Sequence, residues 1–316
     1  MQFTTKIPIS NSNHPIDYDS KMVSLGSCFA VNIADKFNYY KFQNTVNPFG
    51  ILFHPLAIHT IIRRAVEEDF FAESELFFHN ERWHCFDVHS DLSHSNKGDL
   101  LQNLNQGLLE IKSQIKAATH VIITYGTAWV YKEKTSQKIV ANCHKVPQAQ
   151  FEKELLSAAQ IENAIAETIG LLLKVNPNVN MVLTISPVRH LKDGFTQNQQ
   201  SKANLIIGIH QTINRQPTTF NYFPSYEIMI DELRDYRFYA QDMIHPNQTA
   251  IDYIWERFAE TSISKESFLI MDEVERIQKA LSHKPFHPNS ESHQKFVLQV
   301  AQSIARLQEK FPNIKF

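Results

Sequence analysis

The stretch Met22-Val23-Ser24-Leu25-Gly26-Ser27-Cys28-Phe29-Ala30 decides how the chain is read. Its first four residues make a short, mainly apolar run, Gly26 supplies a bend, and Val31, Ile33, Ala34 and Phe37 then recur at helical spacing. That pattern predicts a strand over 22–25, turning at Gly26 into an amphipathic helix over about 28–40. Two later segments extend the theme. His120-Val121-Ile122-Ile123-Thr124-Tyr125 and Asn180-Met181-Val182-Leu183-Thr184-Ile185-Ser186 are continuous runs without polar alternation, each following a helical stretch. Such strands are buried on both faces, as in a parallel sheet, so a central sheet covered by helices is expected.

Between these landmarks, Asn47-Pro48-Phe49-Gly50 punctuates the chain. Pro48 biases Asn47 toward an extended backbone, and Gly50 permits a sharp bend or a close approach to a ligand. A helix is expected over 56–67, and short strands or aromatic loop over 75–90. Asp99 is a candidate cap for a helix over 100–116. Leu155, Ala158, Ile161, Ile165, Ile169 and Leu172 define one buried stripe of a helix spanning 150–174, ended by Asn176-Pro177-Asn178. Further on, the pattern predicts a helix over 199–213, a strand over 219–223, a brief helix over 226–233, an irregular segment over 234–242 and a helix over 247–261. Two more helices, over 270–281 and 290–310, flank the turn Lys284-Pro285-Phe286-His287-Pro288. The expected division is a main domain over 1–262 with a helical extension over 263–316 packed on it.

The chain has 316 residues, 43% hydrophobic and 20% charged, which is the make-up of a folded domain large enough for a sizeable core. A net charge of -2 gives no electrostatic basis for binding nucleic acid or an anionic membrane. No stretch reaches the roughly 20 apolar residues that span a bilayer, and Met1-Gln2-Phe3-Thr4-Thr5-Lys6 is followed by no long apolar run, so a cytoplasmic protein is expected. Cys28, Cys85 and Cys143 are too few and scattered for a disulfide framework. His84-Cys85 and Cys143-His144 lack the spacing of a zinc knuckle, so no metal is expected, and no phosphate or dinucleotide fingerprint calls for an organic cofactor. The 22 Phe and 10 Tyr point to an aromatic-rich core or a wide apolar cleft.

Gly26-Ser27 sits where a strand feeds a helix, and two roles fit Ser27 there. It is either a helix cap or a nucleophile whose oxyanion is favoured by the helix N-terminus. Asp242-Met243-Ile244-His245-Pro246 offers an Asp three residues before a His. Such an Asp either caps the next helix or binds one ring nitrogen, which leaves the other free to take a hydroxyl proton.

Gly26-Ser27-Cys28-Phe29-Ala30 resembles the signature of the bacterial GSCFA family, a branch similar to the SGNH or GDSL-like hydrolases. Asn47-Pro48-Phe49-Gly50, Tyr125-Gly126-Thr127-Ala128-Trp129, Ser186-Pro187-Val188-Arg189-His190 and Asp242-Met243-Ile244-His245-Pro246-Asn247 resemble its other blocks, in the same order. The resemblance implies a flavodoxin-like three-layer α/β/α sandwich with a mainly parallel sheet and a serine esterase mechanism. Ser27 then matches the nucleophile and Asp242 with His245 the acid–base pair. It also implies an oxyanion hole formed by the N–H groups of Ser27 and Gly50. Ala128 stands where an asparagine is expected, so Thr127 or Asn47 would have to supply the third donor. Cys28, about 100 degrees around the helix from Ser27, is assigned to packing.

Arg189 and His190 follow a strand at the edge where α/β sheets bind ligands, and with Trp129, Tyr125 and His54 they are the candidate substrate contacts. For Arg189 a surface ion pair, and for Trp129 a place in the core, fit as well. The implied substrate is a small or carbohydrate-borne acyl ester. A weakly active or inactive glycan-binding protein and an O-acyltransferase are the competing readings.

Overall fold

A computed structural model describes residues 5–215 and 220–316. In it the expected bend is the hub of the sheet. Strand β1 (Lys21–Gly26) runs into α1 (Cys28–Tyr39), then β2 (Gln43–Val46) pairs parallel to β1 on one side. Next come α2 (Pro55–Glu67), the hairpin β3 (Leu76–His79) and β4 (Arg82–Cys85), α3 (Lys97–Ala117) and β5 (His120–Tyr125). Strand β5 pairs parallel to β1 on its other side. A small antiparallel sheet of β6 (Trp129–Glu133), β7 (Ile139–Val140) and β8 (Phe151–Leu155) precedes α4 (Ala158–Val175), β9 (Asn180–Ile185), α5 (Phe195–Arg215) and β10 (Phe220–Phe223). The main sheet has the order β10-β9-β5-β1-β2 with every pair parallel. This is the flavodoxin-like winding, whose strand order reverses between β1 and β5.

Alternation along the strands sends side chains into two cores. Val23, Leu25, Val121, Ile123, Met181 and Leu183 meet α2, α3, α4 and α5 on one face. Met22, Ile122, Val182 and Phe223 meet α1 and α7 (Gln248–Ser262) on the other. The fold is therefore a three-layer α/β/α sandwich. The last helices, α8 (Lys265–Ser282) and α9 (Glu291–Lys310), join the second core through Met271, Val274, Ile277 and Leu307 beside Phe37 and Trp255.

Several local expectations need correction. The segment read as one helix from 150 begins as strand β8, because Phe151-Glu152-Lys153-Glu154-Leu155 pairs with β6 and the helix starts only at the Ser157–Gln160 capping box. Asn96, not Asp99, caps α3, its side chain accepting from the N–H groups of Gly98 and Asp99. Helix α5 begins at Phe195 and α8 at Lys265, the latter capped by Ser264, so both are longer than their periodicity suggested. The brief helix after β10, α6 (Ser225–Glu227), widens into a π-helical turn over Ile228–Leu233. The strand start expected at 219 lies outside the described residues. Asn47 is not extended: its φ is +43°. Its side chain accepts from the Gly26 N–H at 2.8 Å and holds it in this left-handed conformation, which Asn tolerates better than most residues.

Gly26 has φ +129°, and a Cβ added there would fall 2.1 Å from the Thr124 carbonyl oxygen. Gly26→Ala should therefore force β1 and β5 apart where the sheet divides, costing about 3 kcal/mol or more. Urea unfolding checks this, and a loss below about 1 kcal/mol would contradict the crowding described.

Candidate active site

Ser27 stands just past the C-terminal end of β1, at the strand-order reversal where α/β folds bind ligands. Its N–H bonds the Thr124 carbonyl at 2.9 Å and its carbonyl accepts from Ala30. It occupies the cap position of α1, yet its side chain makes no capping bond. The hydroxyl is fully buried, 0% exposed, and Oγ has no hydrogen-bond partner. A buried hydroxyl without a partner costs about 1–3 kcal/mol, so it needs a reason.

The neighbourhood of Ser27 is tight. A Cβ added to Gly126 would lie 3.2 Å from both the Ser27 Cβ and the Phe53 ring. The Phe53 carbonyl takes the N–H groups of Gly126 and Thr127, and His190 packs edge-on against the Phe53 ring at 5.7 Å. His190 Nε2 is buried without a partner, and so is Asn47 Nδ2. Burial first, then the charges of Lys202 and His245, push the His190 imidazole down to about 3, so it is neutral.

Asp242 and His245 are in contact, and capping of α7 is not the reason. Asn247 caps α7. Asp242 Oδ1 accepts from the N–H groups of Ile244 and His245, while Oδ2 lies 2.7 Å from His245 Nδ1. The backbone N–H of His245, then its ring, then the N–H of Ile244, hold the Asp242 carboxyl down at about 2. Met243 takes a left-handed φ of +58° inside this turn. His245 is half-exposed and makes no hydrogen bond to the buried Ser27 hydroxyl; His190 stands close enough to feel its charge.

Other expectations fare unevenly. The N–H groups of Ser27 and Gly50 are engaged by Thr124 and Asn47 carbonyls, and the Thr127 hydroxyl by Ser201 Oγ and the Trp129 N–H. Of the proposed oxyanion donors, only the Asn47 amide is uncommitted in this conformation. His54 is buried and caps α2, Nδ1 accepting from Ala57 and Nε2 facing the Val140 carbonyl. Tyr125 is 1% exposed inside the core. Trp129 is half-buried, its Nε1 donating to the Gln197 carbonyl and its ring covered by the Lys153 ammonium at 4.5 Å. Cys28 is half-buried and thus more accessible than Ser27, the reverse of the expected order; burial pushes its thiol up, against a smaller opposing pull from Lys202. The His84 and His144 rings meet at 4.7 Å, but their nitrogens are committed to Ser93, Ser90 and main-chain carbonyls, and the described residues hold no cluster of three potential metal ligands.

The sequence reading missed Lys202. This residue of α5 is 1% exposed and donates to the carbonyls of Gly126 at 2.8 Å and Ser186 at 2.7 Å, joining the ends of β5 and β9. No carboxylate is paired with it among the described residues. Burial pushes its ammonium down to about 7, against smaller opposing effects of Cys28 and Glu227. The available signal was a lysine in line with Leu205 and Ile209 on the buried face of a helix.

Fold and site thus define a flavodoxin-like α/β/α protein with uncommitted polar atoms gathered at its switch point. The chain belongs to the GSCFA family, whose sequence model matches residues 21–258, and the model described as GSCFA domain protein, C-terminal domain, matches 274–316. Among solved structures it is similar to an acetyl xylan esterase from the rumen bacterium Butyrivibrio proteoclasticus, with 11% identity and a TM-score of 0.37 over 79% of this chain and 65% of that one. The chain therefore spans less than two thirds of that esterase. Comparison with curated proteins gives no match. No described helix is long and apolar enough to cross a membrane.

Lys202 makes a pH-dependent contribution to stability. The unfolded chain keeps this group charged up to about 10.5 and the folded protein only to about 7. Between those values the folded state binds fewer protons, so stability rises with pH; below about 7 both states are charged and the dependence ends. Relative to Lys202→Met, the wild type should gain up to about 1.4 kcal/mol per pH unit between pH 7 and roughly 9.5. Urea midpoints across that range read the difference, and parallel profiles for the two proteins would contradict it.

Proposed function

We propose that the protein is a serine-dependent acyl ester hydrolase acting on a carbohydrate or other small ester, with Ser27 as nucleophile, His245 as general base and Asp242 as its orienting acid. The observation that carries this reading is the unpartnered Ser27 hydroxyl at the switch point, on the same sheet edge as an imidazole already oriented by a carboxylate. Asp242 takes the Nδ1 proton of His245 in a hydrogen bond and leaves Nε2 to act as base. His190 has an uncommitted Nε2 as well, but no carboxylate orients it and its basicity is suppressed. Cys28 is the less suited nucleophile, since burial keeps it a thiol and only the thiolate attacks.

Catalysis requires the residues over Ser27 to move, because its hydroxyl is fully buried at rest and makes no hydrogen bond to His245. With the cleft open, Ser27 Oγ attacks the ester carbonyl carbon as His245 Nε2 takes its proton. The oxyanion accepts from Asn47 Nδ2 in place of the N–H groups engaged elsewhere. Collapse expels the alcohol, which receives the proton from His245. Water then gives a proton to His245 and attacks the acyl carbon, and as this intermediate collapses His245 returns the proton to Ser27 Oγ, releasing the acid and restoring the hydroxyl. The sealed hydroxyl also favours a second reading, an inactive glycan-binding protein on the same scaffold.

A fluorophosphonate probe separates the two. Labelling should map to Ser27 and vanish in Ser27→Ala, and ester turnover should fall about 10³-fold or more in both Ser27→Ala and His245→Ala, to a similar floor. Asn47→Asp keeps an acceptor for the Gly26 N–H but removes the donor, so kcat should fall about 10²-fold with KM little changed. A wild-type protein that neither labels nor turns over short esters supports the inactive reading, and labelling at Cys28 overturns the choice of nucleophile.

A further inference from the structure

On the β9–β10 side of the cleft, Arg189 is held at the turn that carries His245. Its N–H bonds the Ile244 carbonyl at 3.2 Å and Nη1 bonds the Met243 carbonyl at 3.2 Å. Aromatic rings surround the guanidinium: its central carbon lies 5.4 Å from the ring centres of Phe195 and Tyr239 and 5.7 Å from that of Tyr236. Arg189 and Arg234 line one cavity of about 200 Å³, with Gln199, Asp235, Tyr236 and Tyr239 among its walls. Among the described residues neither guanidinium has a carboxylate within ion-pair distance. The carboxylates nearby are committed elsewhere. Asp235 is taken by the guanidinium and N–H of Arg237, Asp242 by His245, and Glu227 Oε1 by the Tyr222 hydroxyl at 2.6 Å, Glu227 Oε2 being buried without a partner.

Two uncompensated cations facing one cavity repel each other, and an anion between them removes that repulsion. Guanidinium edges offer paired N–H donors whose geometry matches a carboxylate. Phe195 and Tyr236 are 66% and 63% exposed at the rim, so a flat ring carrying that carboxylate finds apolar faces to lie on.

We propose that the cavity between Arg189 and Arg234 is an anion subsite for a carboxylate carried by the substrate, which makes the natural substrate an acidic ester. The assignment of the carboxylate to an ester rests on the serine esterase reading above; anion binding does not. The carboxylate belongs either to the alcohol or to the acyl part, and matched substrates tell them apart. One pair is the acetate ester of 3-hydroxybenzoate and that of its methyl ester; the other is 4-nitrophenyl hemiglutarate and 4-nitrophenyl valerate. At low salt, kcat/KM should favour the charged member of one pair by about 10-fold, and that preference should shrink as salt rises. Arg234→Gln should bring the ratio toward unity, while Arg276→Gln, on α8, should leave it as in wild type. Benzoate titration followed by NMR tests the subsite without turnover: millimolar binding to wild type and none to Arg234→Gln is expected. Ratios near one in both pairs, a ratio untouched by Arg234→Gln, or absence of benzoate binding would each overturn the subsite. Benzoate binding in a protein that hydrolyses no ester and takes no fluorophosphonate would instead remove the esterase reading and leave the anion site standing.

Discussion

The close passage of β1 past β5 at Gly26 is the constraint on which the rest of the molecule hangs. No side chain fits beside the Thr124 carbonyl there, so the backbone itself makes the contact, and it bends with φ +129°. From that point β2 lies to one side and β5, β9 and β10 to the other, which opens the crevice of a doubly wound sheet. Three further contacts converge on the bend: the Asn47 carboxamide on the Gly26 N–H, the Ser27 N–H on Thr124, and the Gly26 carbonyl receiving Leu52. Ser27 has no freedom in this frame. Its backbone is committed on both sides, and only the hydroxyl is left over.

Much of this scaffold was legible in the residues. The sheet strands at 22–25, 120–125 and 180–186 are continuous apolar runs, and burial on both faces is the condition that produces them. Strand β8 was not legible because Leu155 continues the spacing of the helix that follows, and only its pairing with β6 makes 151–155 a strand. Strand β2, Gln43–Val46, is mostly polar and half-buried, an edge strand recognisable only through its partner β1. The Asp242–His245 contact could be read locally, since three residues of a tight turn bring the groups together. The relation of that turn to Ser27 depends on how loops more than two hundred residues apart settle over one sheet edge, and spacing carries no information about that.

Lys202 illustrates what folding adds. Its two bonds go to main-chain carbonyls of Gly126 and Ser186, which have no residue-type signature, so no pairing of side chains along the chain could announce it. Removing a lysine from water is costly, and two neutral carbonyls offset only part of that cost. The ammonium nevertheless ties together the ends of β5 and β9. It also keeps His190 neutral from within, as burial does from all around. The result is a floor in which the His190 imidazole is held neutral, while His245 is held by Asp242 at the solvent edge.

The complete burial of the Ser27 hydroxyl carries a consequence for how ligands would be chosen. A molecule reaches this hydroxyl only by supplying enough contact energy elsewhere on the surface to uncover it. Selection is then exercised by the parts of a ligand remote from the bond that breaks. The affinity measured for a ligand that does reach it would understate its contacts by the free energy of that opening.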